Sequence, residues 1–156
     1  MHNRATWNDT WMAIAEIMAR RSPCDKRQIG AVIVSRRNQL LATGYNGPPA
    51  GWDENWRCYR DCARFGGADT YDGCPSIHAE ANSLLFVNRR DCEDATIYIS
   101  RSPCMDCAKL ISNSGITNVR FIEWASDAYR DPNAVREFLR RAGISTQWSY
   151  KIDGMD

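Results

Sequence analysis

The sequence has no excess of basic residues. Its 20 Lys and Arg residues stand against 19 Asp and Glu residues, which leaves a net charge of +1. A protein that binds a nucleic-acid duplex neutralises many phosphates and therefore carries a clear positive excess. The balance of charge argues against a nucleic-acid partner and predicts a small substrate.

Long apolar runs are also lacking. The stretch Met1 to Asp9 is polar and has no apolar core of signal-peptide length, and no run approaches the length of a membrane span. Internal repeats and low-complexity tracts are absent from the sequence as well. We therefore expect a single soluble domain over residues 1–156, with no membrane partner, in the cytoplasm, or in the host cytoplasm if the protein is viral.

The chain contains 7 cysteines. In a reducing compartment cysteines serve more often as metal ligands than as disulfides, so their positions matter for function.

Two short segments carry the chemistry. His78-Ala79-Glu80 and Pro103-Cys104-Met105-Asp106-Cys107 each read as the first turn of a helix. Cys104 and Cys107 are three residues apart, so their sulfurs project from one helical face. With His78 they form a three-ligand zinc set that leaves the fourth position open for water, as a catalytic zinc requires. Glu80 can then move protons beside that water without coordinating the metal.

Other interpretations of the Cys pair are a thioredoxin-like redox pair or half of a zinc ribbon. A redox pair accounts for neither His78 nor Glu80, and a ribbon leaves Glu80 without a role. The catalytic zinc site is therefore the favoured hypothesis.

Periodicity and turn residues predict alternating helices and strands. The predicted helices are Asn8 to Arg21, His78 to Arg90, Pro103 to about Gly115, and Asn133 to Ala142. The predicted strands are Ile29 to Ser35, Leu40 to Tyr45, Ala95 to Ser100, Asn118 to Glu123, and Ile144 to Ile152. This order predicts an α/β fold with a mainly parallel sheet covered on both faces, and with an antiparallel hairpin at its start.

The stretch Gly44 to Gly51, which follows the second strand, is too rich in Gly and Pro to continue it. We expect a shaped binding loop there. Asn46 suits contact with a ligand's sugar, because its amide offers both a donor and an acceptor.

A long segment without periodicity, about residues 52–75, is rich in Cys and Trp. A loop of this length in a small domain needs something to order it. We expect Cys24, Cys58, Cys62 and Cys74 to hold a second, closed zinc with four thiolates, although they can also remain unligated. Cys92 is interpreted as an ordinary buried thiol.

The pattern H-x-E followed by P-C-x-x-C resembles zinc-dependent nucleobase deaminases. Nearly the whole chain resembles the deoxycytidylate deaminase branch of the cytidine deaminase superfamily, on segments that occur in the same order. These are Arg21-Ser22-Pro23-Cys24, Ile29-Gly30-Ala31-Val32-Ile33-Val34, Gly44-Tyr45-Asn46-Gly47-Pro48-Pro49-Ala50-Gly51, His78-Ala79-Glu80-Ala81-Asn82, and Pro103-Cys104-Met105-Asp106-Cys107-Ala108-Lys109. The resemblance implies a three-layer cytidine-deaminase-like fold, with a mixed five-stranded sheet and helices on both faces.

The same resemblance implies an activity. It predicts zinc-dependent hydrolysis of deoxycytidine monophosphate (dCMP) to deoxyuridine monophosphate (dUMP) and ammonia, feeding thymidylate synthesis, with Glu80 as the catalytic acid and base. It implies that Asn46 holds the sugar and that the backbone at Ala79 and Ser102 contacts the base. Arg27 is a candidate for the phosphate, together with Lys26, Arg101 and Arg130.

Regulation and assembly are implied in the same way. In allosteric members deoxycytidine triphosphate (dCTP) activates and thymidine triphosphate (dTTP) inhibits, through residues that correspond here to Tyr45, Asn46, Gly47 and Asn82. Many relatives are homo-oligomers, commonly hexamers. Related microbial and viral members hold a second, structural zinc.

Three alternatives remain open from the sequence. The substrate can be dCTP or a 5-substituted dCMP, because Cys74-Pro75-Ser76-Ile77 departs from the basic or aromatic residues that commonly precede the catalytic His. A nucleic-acid deaminase and a non-catalytic nucleotide-binding zinc module are the other two.

Overall fold

The computed structural model describes residues 4–24, 26–53, 55, 74–125 and 131–151. Four α-helices and five strands occur in these ranges. In chain order they are α1 (Trp7–Ala19), β1 (Gly30–Val34), β2 (Leu40–Tyr45), α2 (Ala79–Leu85), β3 (Thr96–Ile99), α3 (Met105–Ser112), β4 (Asn118–Trp124), α4 (Pro132–Arg141) and β5 (Ser145–Lys151).

The first helix begins as its sequence predicts. Thr6 and Asp9 form a reciprocal capping box, in which the Thr6 hydroxyl accepts from the Asp9 amide at 3.1 Å and the Asp9 carboxylate accepts from the Thr6 amide at 3.2 Å. Trp11 and Ala15 are buried in the core that α1 forms with the sheet, whereas Trp7 is 56% exposed. One side of α1 therefore covers the sheet.

The sheet has the strand order β2-β1-β3-β4-β5. Strand β1 pairs antiparallel with both β2 and β3, while β3, β4 and β5 are parallel to one another. The predicted mixed five-stranded sheet is confirmed, with the difference that β1 is antiparallel on both sides. As a consequence the start of β1 lies beside the carboxyl end of β3, and Gly30 and Ser100 exchange hydrogen bonds there at 3.0 Å.

Helices cover both faces of the sheet. Apolar residues from α1, β1 and β3 form the smaller core on one face. The larger core on the other face includes buried residues of α2, α3 and α4. The fold is thus the predicted three-layer arrangement.

Two glycines allow helices to approach the sheet closely. A Cβ at Gly30 would lie 2.0 Å from the Ala15 carbonyl oxygen of α1, and a Cβ at Gly44 would lie 2.3 Å from the Ala79 carbonyl oxygen of α2. Larger residues at these positions would displace the helices, so the glycines set the depth at which both helices pack.

Several predicted helix boundaries are wrong. The helix expected to reach Arg21 ends at Ala19. The helix expected to reach Arg90 ends at Leu85, and a separate 3-10 turn follows at Arg89–Cys92, where the Asn88 side chain accepts from the Arg90 amide and begins the turn. The helix expected to begin at Pro103 begins at Met105, with Cys104 as its N-cap.

None of the described helices is long and apolar enough to cross a membrane. Most of the predicted insert, including Cys58 and Cys62, lies outside the described residues.

Candidate active site

Three side chains predicted to bind metal meet at one point. His78 Nδ1 lies 3.4 Å from Cys104 Sγ and 3.3 Å from Cys107 Sγ, and the three ligand atoms all lie within 4.8 Å of one another. Elsewhere in the described ranges no other group of three or more such side chains is found.

Two helix N-termini bring these ligands together. His78 is the N-cap of α2, Cys104 is the N-cap of α3, and Cys107 lies in the first turn of α3. Neither N-cap side chain makes a capping hydrogen bond, so each is directed to the cluster instead. Two of the three ligands, His78 and Cys104, are therefore N-cap residues, one position before the first turns predicted for them, and Cys107 lies in the predicted first turn.

The donor set fits zinc. One imidazole nitrogen and two sulfurs around a tetrahedral zinc, at about 2.0 Å and 2.3 Å from the metal, stand about 3.6 Å apart, close to the observed N···S separations. Three protein ligands are the number that catalytic zinc sites use, because the fourth position then takes water or substrate.

The pKa values of the two thiols are shifted in opposite directions. The pKa of Cys104 is lowered to about 4, mainly because Cys107 donates a hydrogen bond to it and also because His78 lies beside it. The pKa of Cys107 is raised by the same hydrogen bond, by burial, and by the charge of Glu80. Opposite shifts of this kind describe a coupled pair with one thiolate, whose second proton leaves when a cation binds.

Glu80 reaches the same cluster from the first turn of α2. It is only 3% exposed, and it contacts Cys107 closely enough to raise the pKa of that thiol by both a hydrogen bond and its charge. A buried carboxylate beside a metal site is placed for proton transfer rather than for solvation.

The loop after β2 is tied to the segment that carries His78. Gly47 and Ile77 exchange two backbone hydrogen bonds, at 3.1 Å and 2.8 Å. The Asn82 amide also donates to the Tyr45 carbonyl at 2.8 Å. The four residues predicted for nucleotide regulation, Tyr45, Asn46, Gly47 and Asn82, are therefore close to one another and to the N-terminus of α2.

Asn46 is buried, and its side-chain amide forms hydrogen bonds with two backbone groups just before β1. Its Oδ1 accepts from the Ile29 amide at 2.7 Å, and its Nδ2 donates to the Arg27 carbonyl at 2.8 Å. This bracing role does not follow from the motif. Contact between Asn46 and a ligand stays a prediction. One N–H of Nδ2 and one lone pair of Oδ1 remain available for it.

The other predicted substrate contacts lie near the cluster. Ala79 is the first residue of α2, and it is buried. Ser102 is 2% exposed, and its hydroxyl has no hydrogen-bond partner among the described residues. Arg27 is half-buried just before β1.

Sequence reasoning missed Ser76. Its hydroxyl is also buried and, within the ranges that the structure describes, has no hydrogen-bond partner. Like Ser102, it precedes a predicted zinc ligand by two residues. No motif or periodicity marks either hydroxyl, and only the structure identifies them as donors beside the site.

Of the cysteines predicted for a second zinc, Cys24 and Cys74 are described, and both are half-buried and reduced. Cys92 is buried at 1% exposure, as expected of an ordinary core thiol.

Comparison with known proteins gives a consistent result. The family model described as the cytidine and deoxycytidylate deaminase zinc-binding region matches residues 5–123. A deoxycytidylate deaminase from Mycobacterium phage D29 is 41% identical over 125 residues, which cover 75% of this chain and 94% of that protein. The human deoxycytidylate deaminase is 34% identical over 143 residues, which cover 89% of this chain and 77% of the human protein.

A solved structure shares the fold. The dCMP deaminase of cyanophage S-TIM5, in complex with dCMP and dUMP, superposes with a TM-score of 0.69 at 23% identity and covers 95% of this chain and 100% of that one.

Proposed function

The chain belongs to the cytidine and deoxycytidylate deaminase family, and we propose that it hydrolyses dCMP to dUMP and ammonia in a zinc-dependent reaction. The observation that carries the proposal is the convergence of His78, Cys104 and Cys107 beside the buried carboxylate of Glu80. This set is the one that hydrolytic nucleobase deamination requires.

Each of these residues has a defined role. His78, Cys104 and Cys107 would hold zinc, which supplies Lewis acidity that makes water a nucleophile near neutral pH. Glu80 accepts the proton of the attacking water. It then delivers protons to ring nitrogen 3 and to the departing amine, which leaves as ammonia.

The surroundings of Glu80 suit this proton transfer. Its burial removes competing water, and its position in the first turn of α2 places it beside the partial positive charge of the helix N-terminus. The contact with Cys107 also orients the Glu80 carboxylate within the site.

The substrate is held by groups around this centre. We assign the sugar to Asn46 and the base to the backbone of Ala79 and Ser102. The Ala79 amide is among the first N–H groups of α2, which have no partner inside the helix. Arg27 contributes positive charge at the same edge, and the orphan hydroxyl of Ser102 is available to a polar atom of the base.

A panel of substrates tests the function. Purified, zinc-loaded protein is assayed for ammonia release with dCMP, dCTP, 5-methyl-dCMP, deoxycytidine and a single-stranded oligonucleotide that contains cytosine. The highest kcat/KM is expected with dCMP. Turnover of the oligonucleotide alone would contradict the proposal, and nucleotide binding without any turnover would favour a sensor.

We further propose a second, structural zinc held by Cys24, Cys58, Cys62 and Cys74. Gly47 has two neighbours that support this site, because each is close in sequence to one of the cysteines. Pro23, which precedes Cys24, would lie 3.3 Å from a Cβ at Gly47, and Ile77, three positions after Cys74, is hydrogen-bonded to Gly47.

Metal analysis tests the second zinc. Wild-type protein should hold two zinc ions per chain, and the double variant Cys24→Ser, Cys74→Ser should hold one. A single zinc in the wild type would refute this site. Cys92→Ser is the matched control, because that thiol is buried in the core.

Regulation by dCTP and dTTP is proposed at a cavity of about 430 Å³ beside the loop. Its lining combines polar, cationic and aromatic groups, among them Arg21, Tyr45, Gly47, Asn82 and Phe86. We expect dCTP to lower the KM for dCMP and dTTP to raise it. Identical initial rates with and without either triphosphate would contradict this proposal.

A cytoplasmic homo-oligomer, with a hexamer favoured, completes the proposal. The homo-oligomer is supported by exposed apolar side chains around a groove between α2 and α3, including Leu85 at 70% and Leu110 at 52% exposure. Light scattering coupled to size exclusion gives the mass, and a monomer would contradict it.

A further inference from the structure

Two cations lie over one tryptophan at the carboxyl end of the parallel strands. The Arg101 guanidinium carbon is 4.7 Å from the centroid of the Trp124 ring, and Lys151 Nζ is 5.4 Å from a Trp124 ring centroid. The Trp124 indole donates to the Ser100 carbonyl at 2.9 Å, which fixes the ring. We call Arg101, Trp124 and Lys151 the Trp124 platform.

The platform lies at the edge of the sheet that carries the metal site. Trp124 and Lys151 are the last residues of the parallel strands β4 and β5, and Arg101 follows β3 by two residues. In open sheets, ligands bind in the crevice outside the carboxyl ends of the strands. Arg101 and Cys104 are three positions apart in the chain, so their Cα atoms are within about 11 Å of each other.

Arg101 and Lys151 bring two cationic side chains to the platform, and Lys151 is also paired with the Glu16 carboxylate at 2.6 Å. Arg27 is a third cationic residue near this edge, because the antiparallel pairing of β1 with β3 puts the start of β1 beside Ser100.

Among the cationic residues predicted to bind phosphate, Arg101 has the side chain whose orientation is most restricted. Packing on Trp124 restricts the side chain before any ligand arrives, which reduces the entropy lost on binding. A guanidinium also offers a planar pair of donors that matches a phosphate. Lys26 is exposed, and Arg130 lies outside the described residues.

We propose that Arg101, positioned by Trp124 and assisted by Lys151, binds the 5′-phosphate of the nucleotide substrate. The inference rests on the proposed function, since a base at the metal centre leaves the sugar and phosphate to extend along this edge. Arg101 contacts the substrate, and Trp124 acts as a positioning residue. The platform then decides between a nucleotide and a nucleoside.

Binding of reaction products tests the proposal without turnover. Calorimetry on the zinc-loaded protein compares dUMP with deoxyuridine, which lacks the phosphate. Arg101→Gln should weaken dUMP binding by about 10- to 100-fold, since a hydrogen bond between charged groups is lost, and should change deoxyuridine binding by less than about twofold. Arg101→Lys should restore part of the loss.

The matched control is Arg36→Gln. Arg36 lies past the opposite end of β1, is two-thirds exposed, and contacts Asp94 at 4.0 Å. It should leave both ligands unaffected. Trp124→Phe should keep most of the preference for dUMP and Trp124→Leu should lose much of it, as expected if an aromatic ring orients Arg101.

An alternative is that the platform only braces the strands. Arg101→Gln would then lower the melting temperature without changing the ratio of dUMP to deoxyuridine affinity, and this result would overturn the proposal. If the variant fails to fold, the wild type decides, because inorganic phosphate should compete with dUMP and not with deoxyuridine. Absence of that competition would likewise overturn it.

The two proposals can fail separately. If the wild type deaminates dCMP and its dUMP affinity is independent of Arg101, the proposed function is supported and the phosphate site is refuted. If the wild type binds dUMP through Arg101 and deaminates none of the substrates, the phosphate site is supported and the proposed function is refuted.

Discussion

Replacing Gly44 with alanine should displace the helix that carries the catalytic residues. The added Cβ would lie 2.3 Å from the Ala79 carbonyl oxygen and 2.6 Å from the Ser83 amide nitrogen, both in the backbone of α2. Ordinary contact begins at about 3.4 Å, so α2 must retreat by about 1 Å. Overpacking of this kind costs about 1–3 kcal/mol, which lowers the melting temperature of a chain of this size by several degrees.

The retreat also moves His78 and Glu80 relative to the cysteines of α3. A misplacement of about 1 Å can lower catalysis by about 10²-fold. Urea unfolding, chelator competition for zinc and dCMP turnover should therefore all change together in Gly44→Ala.

Gly30→Ala is the control for this prediction. It creates an equally severe clash, 2.0 Å from the Ala15 carbonyl oxygen, but with α1 on the other face. It should destabilise the fold while leaving zinc affinity closer to that of the wild type. An unfolding free energy of Gly44→Ala within about 0.5 kcal/mol of the wild type would refute the reasoning.

Three more predictions follow from the structure. The first concerns pH: zinc binding releases the proton of Cys107, so zinc affinity should rise about tenfold per pH unit over the range in which Cys104 is a thiolate and Cys107 is protonated. Chelator competition measures this affinity, and a competition curve that does not change with pH would contradict the prediction. Asn46→Ala should cost about 2–4 kcal/mol in urea unfolding, since the buried Ile29 amide and Arg27 carbonyl both lose their partner, and a change under about 0.5 kcal/mol would count against the bracing role. Thr6→Ala should cost about 1 kcal/mol through loss of the α1 capping box. The half-buried Thr10, mutated to Ala, gives a milder comparison in the same thermal melts.

The sequence predicts local features well. The capping box of α1 and the H-x-E and P-C-x-x-C segments involve residues a few positions apart, so spacing alone indicates their geometry. The wrong boundaries occur where a local alternative competes, as at Asn88, whose side chain begins a separate turn after α2.

Long-range pairings could not be predicted from periodicity. The antiparallel pairing of β1 with β3 joins segments far apart in the chain and places the start of β1 beside Ser100. The pairing of Gly47 with Ile77 brings Asn46 to the segment that carries His78. The Trp124 platform has the same origin, since its members come from the ends of three strands.

Resemblance and geometry also contribute different information about Asn46. The motif marks the residue as important, and only the hydrogen bonds to Arg27 and Ile29 show that its amide already supports the fold. A loss of activity in Asn46 variants therefore needs a stability measurement beside it.

The central claim is that Glu80 transfers protons at a zinc site formed by His78, Cys104 and Cys107. Glu80→Gln is nearly isosteric and leaves all three ligands in place. It should therefore keep the zinc content of the wild type and lose dCMP deamination by at least about 10²-fold. Activity within about tenfold of the wild type, with zinc fully bound, would contradict the account.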